Sequence, residues 1–241
     1  PAAIVDGAVW AARDYDIPIE LVGKEDEIKR ELDRIAKKGI SSNRGGYYTH
    51  KIKVDLTKLD IKITNAEEVI EMGEAVGQAI RKKKKSSIVL AVDAVAKGSS
   101  DAVVAAGSTG AAMASSLFGL GRLTGIERPA IALTLPTIKK PFMLLDAGAN
   151  SSCTPEMLYQ FALMGSTFVK NVYGYENPRV GVLNIGEEAG KGNELVQTAY
   201  KLLEENKDGL NFIGNVEGKE IFKGSCDVIV CDGFVGNVAL K

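Results

Sequence analysis

The chain has 241 residues, 45% of them hydrophobic and 25% charged, with 30 basic against 31 acidic side chains and a net charge of −1. That is enough apolar material for one large core or two smaller ones, and it offers no global field to attract nucleic acid or an anionic membrane. Three cysteines without CxxC spacing (Cys153, Cys226, Cys231) argue against a disulfide framework or a zinc site. With no signal-peptide pattern at the start and no run of ~18 apolar residues, they point to a cytoplasmic protein that does not span a membrane.

Residues 2–13 have helical spacing (Ile4, Val5, Ala8, Val9, Ala12) with no capping segment before them, so the chain is expected to begin inside a unit. A short strand at 18–22 follows, then a charged helix from Glu25 to about Lys38 with Ile28, Leu32 and Ile35 on one face. Residues 39–50, rich in Gly, Ser, Asn and Tyr, read as an exposed loop or insertion. A strand is predicted at 61–64, a helix capped by Asn65 to about Gly73, another from Glu74 ending in RKKKK (81–85), and a third from Ser86 and Ser87 to Lys97.

Beyond this point the pattern becomes regular. Residues 101–106 form a β-rich run, 107–110 read GSTG, and a helix of small residues covers 111–119. Apolar runs at 130–135 and 142–145 are too short for helices, and the second ends in DAGAN. A helix at 155–172, a strand at 180–185 and a helix at 193–205 follow. Strands at 211–215 and 227–231 flank a short helix at 219–223. Apolar strands alternating with amphipathic helices imply a mostly parallel sheet covered on both faces.

Four glycine-bearing turns follow four of these strands: Gly107, Ser108, Thr109 and Gly110; Asp146 to Asn150; Gly186 to Asn193; and Asp232, Gly233 and Asn237. In a parallel sheet such turns lie at the carboxyl edge, where open α/β folds bind ligands. The LNIGEEAGKGNE stretch carries most of the chemistry. A strand ends there and a helix leaves, with Lys191 between Gly190 and Gly192, which suits an anion such as phosphate. It is not a nucleotide P-loop: only three residues separate its first two glycines where four are needed, no hydroxyl follows the lysine, and Glu187 and Glu188 would repel a triphosphate.

His50 is the only histidine and sits in the tyrosine-rich loop, so no Ser/His or Cys/His relay is available. Cys153 lies near a helix start that would lower its pKa, yet lacks a histidine partner and reads as structural. The RKKKK run suits the negative end of a helix dipole; it reads equally as a solvated helix end or as a docking patch for an acidic partner.

The stretches RKKKKSSIV, DAVVAAGSTGAAMA, ERPAIALTLPT, LLDAGAN, NPRVGVLNIGEEAGKGNEL, NFIGNVEG and DVIVCDGFVGN, in this order and spacing, resemble the PlsX family of phosphate acyltransferases. The resemblance runs from about Ala66 to Lys241, and more loosely over 2–32. It implies a three-layer α/β/α sandwich with a mostly parallel sheet, of the isocitrate/isopropylmalate dehydrogenase-like type. It also implies transfer of a long acyl chain from acyl carrier protein to inorganic phosphate, giving acyl phosphate for phospholipid synthesis, with no cofactor and no metal.

On that resemblance Lys191 and Asn237 are the catalytic candidates. Gly107, Ser108, Thr109, Gly110, Asn150, Asn193 and Asp232 are the substrate-binding candidates, and Arg81, Lys83, Lys84 and Lys85 the docking candidates for acyl carrier protein. A homodimer and peripheral membrane contact through residues beyond 241 are further implications. The chain reads as one α/β catalytic domain, 1–241, without the family's glycine-rich first strand and its C-terminal helices, and with a longer 41–58 region. Phosphate is already a nucleophile near neutral pH, so a chain with one histidine suffices for attack on a thioester. The rival readings are an NAD(P)-dependent decarboxylating dehydrogenase on the same fold, which needs clustered aspartates and arginines, and an inactive binding module.

Overall fold

The computed structural model describes residues 2–42, 50–207 and 209–241. The Gly- and Tyr-rich part of the predicted loop, 43–49, and the side chain of His50 lie outside the described residues. The chain divides into two compact units, Pro1–Gly121 and Arg122–Lys241.

The first unit opens with α1 (Ala2–Tyr15), β1 (Ile19–Gly23) and α2 (Glu25–Lys38), as the periodicity predicts. Its core joins Val5 and Val9 of α1, Leu21 of β1, and Ile28 and Ile35 of α2. β1 pairs in parallel with β4 (Ile61–Asn65), Ile19 opposite Ile61. Two short strands at the two ends of the predicted loop region, β2 (Ile40–Ser42) and β3 (His50–Ile52), form an antiparallel ladder.

Three expectations here need correction. Asn65 does not cap a following helix: its Oδ1 accepts from the N–H of Glu25 at the start of α2. The 66–75 stretch is not helical because tertiary partners take its backbone donors, Ala66 N bonding Gly23 O and Glu68 N bonding Lys85 O; helix propensity is a weak prior against such bonds. The next helix, α3, spans only Val76–Lys82, so Lys83, Lys84 and Lys85 lie past its end. Residues 102–106 are not a strand: they pair with nothing among the described residues, and Val104 is 97% exposed. A β-rich run without an edge to pair with makes no ladder. α4 (Ser87–Ala96) and α5 (Thr109–Gly119) complete the unit.

The second unit is built on a five-stranded sheet in the order β5-β6-β9-β7-β8. β5 (Leu133–Leu135) is an antiparallel edge strand, shorter than the apolar run that predicted it. β6 (Phe142–Leu145), β9 (Val228–Val230), β7 (Arg179–Asn184) and β8 (Asn211–Glu217) are mutually parallel. Alternation sorts their side chains onto two faces. Met143, Leu145, Val180, Val182, Val228 and Val230 pack under α6 (Pro155–Tyr173) and α7 (Glu194–Glu205). Phe142, Leu144, Leu183 and Ile229 meet Ile221 of a 3₁₀ turn and Ala239 and Leu240 of α8 (Gly233–Leu240) on the other face. This is the three-layer arrangement expected. The chain crosses by α6 and α7 when it moves toward β8 and returns to β9 on the opposite face, which gives all the parallel crossovers one hand.

Candidate functional site at the carboxyl edge of the second unit

Because β6, β9 and β7 are parallel neighbours in that order, the turns after them share one sheet edge, each about 4.8 Å of strand spacing from the next. α7 leaves β7 toward one face, while α8 leaves β9 toward the other. Adjacent strands whose helices diverge leave a crevice at their carboxyl ends, the place where open α/β sheets bind ligands. Three of the four predicted turns are brought together this way. The fourth, Gly107 to Gly110, belongs to the first unit, where Ser108 caps α5 by accepting from Ala111 N and Thr109 and Gly110 are exposed.

The β6 turn is organised from inside by Asp146, whose side chain is fully buried. Its Oδ1 accepts from Ile131, Gly148 and Ala149 N–H groups, and its Oδ2 from the Asn150 N–H and Nδ2. A buried carboxylate needs this many donors. Asn150 spends its second amide hydrogen on Pro129 O, so its side chain shapes the turn. With both oxygens engaged, Asp146 is poorly placed to ligate the metal that a decarboxylating dehydrogenase would need.

The β7 loop is held on three sides. Asn184, at the end of β7, accepts from Ile185 N and donates Nδ2 to Lys191 O at 3.0 Å. Gln197 of α7 donates to Gly190 O and Gly192 O, and Asn215 of β8 donates to Glu188 O at 2.8 Å. Gly192 is obligatory: its φ is +88°, and a Cβ there would stand 2.4 Å from Asn184 Oδ1. Asn193 caps α7 through its Oδ1 and Val196 N. The loop backbone is therefore fixed, while the Lys191 ammonium makes no ion pair or hydrogen bond among the described residues. Asn184, Gln197 and Asn215 were not singled out from sequence. The available signal was a polar residue ending an otherwise apolar buried strand at 184.

The β9 turn starts α8, which Asp232 caps by accepting from Val235 N. α8 sits directly on the β6 turn: Gly233 N donates to Asn150 O at 2.7 Å, and a Cβ on Gly236 would lie 1.9 Å from Asp146 O. Only glycine allows that approach. The amide Nδ2 of Asn237 is without a partner among the described residues and lies beside Gly148. It lines a cavity of about 250 Å³ with Gly148, Ser151, Gly233, Phe234, Val238 and Lys241. Two helix N-termini thus open on this edge, each presenting backbone donors and a positive dipole end.

The other candidates resolve as follows. Burial pushes the Cys153 thiol up to about 11, outweighing its bond to the Gly233 backbone. The helix-start effect loses, and Cys153 is no thiolate nucleophile. In the basic run, Lys83 bonds Glu74 at 2.5 Å and Val69 O at 2.7 Å, and Lys85 pairs with Glu67 at 2.9 Å. Arg81, Lys82 and Lys84 are exposed and unpaired among the described residues.

Known proteins resemble this chain in sequence and in fold. The family model described as "fatty acid synthesis protein" matches residues 1–241. The chain belongs to that family. It is 50% identical over 241 residues, all of the chain, to the phosphate acyltransferase of Pelotomaculum thermopropionicum, covering 64% of that protein. It is 47% identical over its full length to the phosphate acyltransferase of Halothermothrix orenii, covering 67%. The chain thus spans about two thirds of the length of these curated relatives. The fold is that of the EutD phosphotransacetylase from Staphylococcus aureus, at a TM-score of 0.57 and 16% identity over 99% of this chain and 85% of that one. A structure assigned as a 4-hydroxythreonine-4-phosphate dehydrogenase from Salmonella typhimurium also aligns, at a TM-score of 0.51 and 16% identity over 95% of this chain and 76% of that one. The dehydrogenase-like fold is therefore shown.

Proposed function

We propose that the chain carries the catalytic edge of a phosphate acyltransferase that moves a long acyl chain from acyl carrier protein to inorganic phosphate. The observation that carries this reading is a contrast within the site. The backbone of the β6 and β7 turns is locked by Asp146, Asn184, Gln197 and Asn215, and that of the β9 turn by the Gly233–Asn150 backbone bond and the Asp232 cap, while Lys191 Nζ and Asn237 Nδ2 have no partner among the described residues. Donors held in place and left unspent are what electrostatic stabilisation of a transition state requires.

In the reaction a phosphate oxygen forms a bond to the thioester carbonyl carbon, and the carbonyl oxygen becomes an oxyanion. As the carbonyl reforms, the carbon–sulfur bond breaks; the carrier leaves as thiolate and takes a proton from water. Lys191 is assigned to hold the phosphate or the oxyanion, and Asn237 to donate to the oxyanion. Asn193 and Asp232 set the starts of α7 and α8, whose N-terminal amides face the anion; Asn150 shapes the adjoining turn. The Gly107 to Gly110 amides remain assigned to substrate binding, and the protein is proposed to act as a homodimer.

Arg81, Lys82 and Lys84 are proposed to steer the acidic carrier, because Lys83 and Lys85 are already neutralised. No helix among the described residues is long and apolar enough to cross a membrane; peripheral attachment is proposed to lie with residues beyond 241. The assay is acyl phosphate formation from acyl carrier protein thioester and phosphate. An inactive but folded protein at saturating phosphate would overturn the reading and leave a binding module.

A further inference from the structure

The two glutamates of the β7 loop have different neighbours. Glu187 lies in the field of Lys219, whose ammonium is raised by its bond to Glu217 and, less, by the Glu187 charge. The Glu188 carboxylate makes no ion pair or hydrogen bond among the described residues. Its Oε2 stands 3.1 Å from the point a Cβ on Gly186 would occupy, and Cγ of Lys191 stands 2.9 Å from that same point, so the carboxylate and the lysine stem are at most about 6 Å apart. The glycine leaves room for both on one side of the loop. The backbone fixes the pairing: Lys191 N donates to Glu188 O at 3.0 Å, closing a turn, and Asn215 holds the same carbonyl from β8. An unpaired carboxylate is thus kept beside the cation assigned to an anionic ligand.

We propose that Glu188 selects inorganic phosphate against more highly charged phosphates at Lys191, an inference that rests on the acyltransferase reading and takes phosphate as the anion Lys191 holds. A lone cation attracts an anion more strongly the greater the anion's charge, so a lysine in an open loop favours polyphosphates over phosphate. A carboxylate fixed alongside opposes that attraction charge for charge. Two unit charges about 6 Å apart in water interact strongly enough to change affinity about three-fold. Each further negative charge on the ligand is disfavoured by about that factor. Glu187 takes no part, because its charge is answered by Lys219.

The experiment measures the KM for phosphate and the inhibition constant of pyrophosphate against phosphate, in acyl phosphate formation at low salt, for the wild type, Glu188→Gln, Glu188→Asp and Glu187→Gln. Glu188→Gln tightens both anions, and tightens pyrophosphate about three-fold more than phosphate for each negative charge it carries in excess. Glu188→Asp, which keeps the charge, holds the wild-type ratio, and so does Glu187→Gln. At about 1 M salt, where the screening length is about 3 Å, the gap between the wild type and Glu188→Gln closes. An unchanged ratio in Glu188→Gln, or the same shift in Glu187→Gln, overturns the selection while leaving the acyltransferase reading intact. Calorimetric titration with phosphate and with pyrophosphate reads the ratio without turnover. A wild type that is inactive yet shows the Glu188 shift sinks the acyltransferase reading and leaves the selection standing; one that is inactive with no shift sinks both. Thermal unfolding run in parallel shows whether each variant is folded, and Glu188→Ala repeats the test without an amide that could bond the ligand.

Discussion

The two edges of the second unit's sheet use charge in opposite ways. At the amino edge, Arg179 at the start of β7 grips Asp227, just before β9, through Nε at 3.0 Å and through a second bond from Nη2, which also reaches Gly224 O. Lys140 adds a third contact to Asp227 at 3.1 Å while lying 3.6 Å from the Tyr175 ring centroid. The Asp227 side chain is 3% exposed, and both cations there are paired with it. At the carboxyl edge, hydrogen bonds are spent on backbone and the cation is left free. The difference teaches where to look for chemistry: a closed ion cluster stabilises, whereas an unspent donor in a fixed loop can bind.

The largest expected effect tests the closed edge. Asp227→Asn leaves Arg179 and Lys140 without their counter-charge and should cost about 3 kcal/mol, toward the low end for a broken buried pair because Arg179 still reaches water. The measurement is urea unfolding, with specific activity of the folded protein retained. Burial alone would raise the Asp227 carboxyl, but the Arg179 and Lys140 contacts together hold it below the usual carboxylate range. Its contribution is therefore present above the unfolded value of about 3.9 and lost as pH falls through the lower folded value. Below about pH 4 the wild type should lose stability more steeply than Asp227→Asn; parallel curves would mean that the pair is not what the geometry implies.

The open edge should behave in the reverse manner. Lys191→Ala is expected to cut turnover about 100-fold or more, about 2.7 kcal/mol, with little change in the melting temperature. Asn237→Ala should do likewise, and the double variant should lose less than the product of the two because both serve one transition state. Near-normal turnover and phosphate dependence in a folded Lys191→Ala would reduce the loop to a connection from strand to helix.

Asn184→Ala and Gln197→Ala test whether the loop's rigidity matters. Each removes hydrogen bonds to the Lys191 loop without touching the ammonium, and about a ten-fold fall in kcat is expected, with Gln197→Glu a poor rescue because it supplies no neutral amide donor. Unchanged kcat in both would show that the free lysine finds its position unaided. The smallest effect concerns the basic run. Replacing Arg81, Lys82 and Lys84 with Ser should raise the KM for acyl carrier protein a few-fold at low salt and hardly at all at high salt. Replacing Lys83 and Lys85 instead should mainly lower stability. The same KM change from both sets would erase the distinction between paired and unpaired cations.

How much of this was legible beforehand depends on how local each cause is. Hydrophobic period and capping residues placed α2, α6, α7 and β7 within a residue or two, because a helix face and an N-cap are written in adjacent positions. Ser108, Asn193 and Asp232 stand in the glycine-bearing turns and were substrate-binding candidates on the family resemblance; each caps a helix. The sequence by itself determined the α/β class, the glycine turns, and Lys191 and Asn237 as residues of interest. Tertiary structure decided that 66–75 is not a helix, since its backbone donors went to partners distant in sequence, and that 102–106 is not a strand, since no neighbouring edge pairs with it among the described residues. It decided the strand order that makes the β6, β9 and β7 turns neighbours, and so the edge they share. It also decided which charges are free: Asp227 lies 48 residues from Arg179, and Lys85 lies 18 from Glu67. Pairing at such separations is set by the path of the chain through space, which no local pattern of residues records.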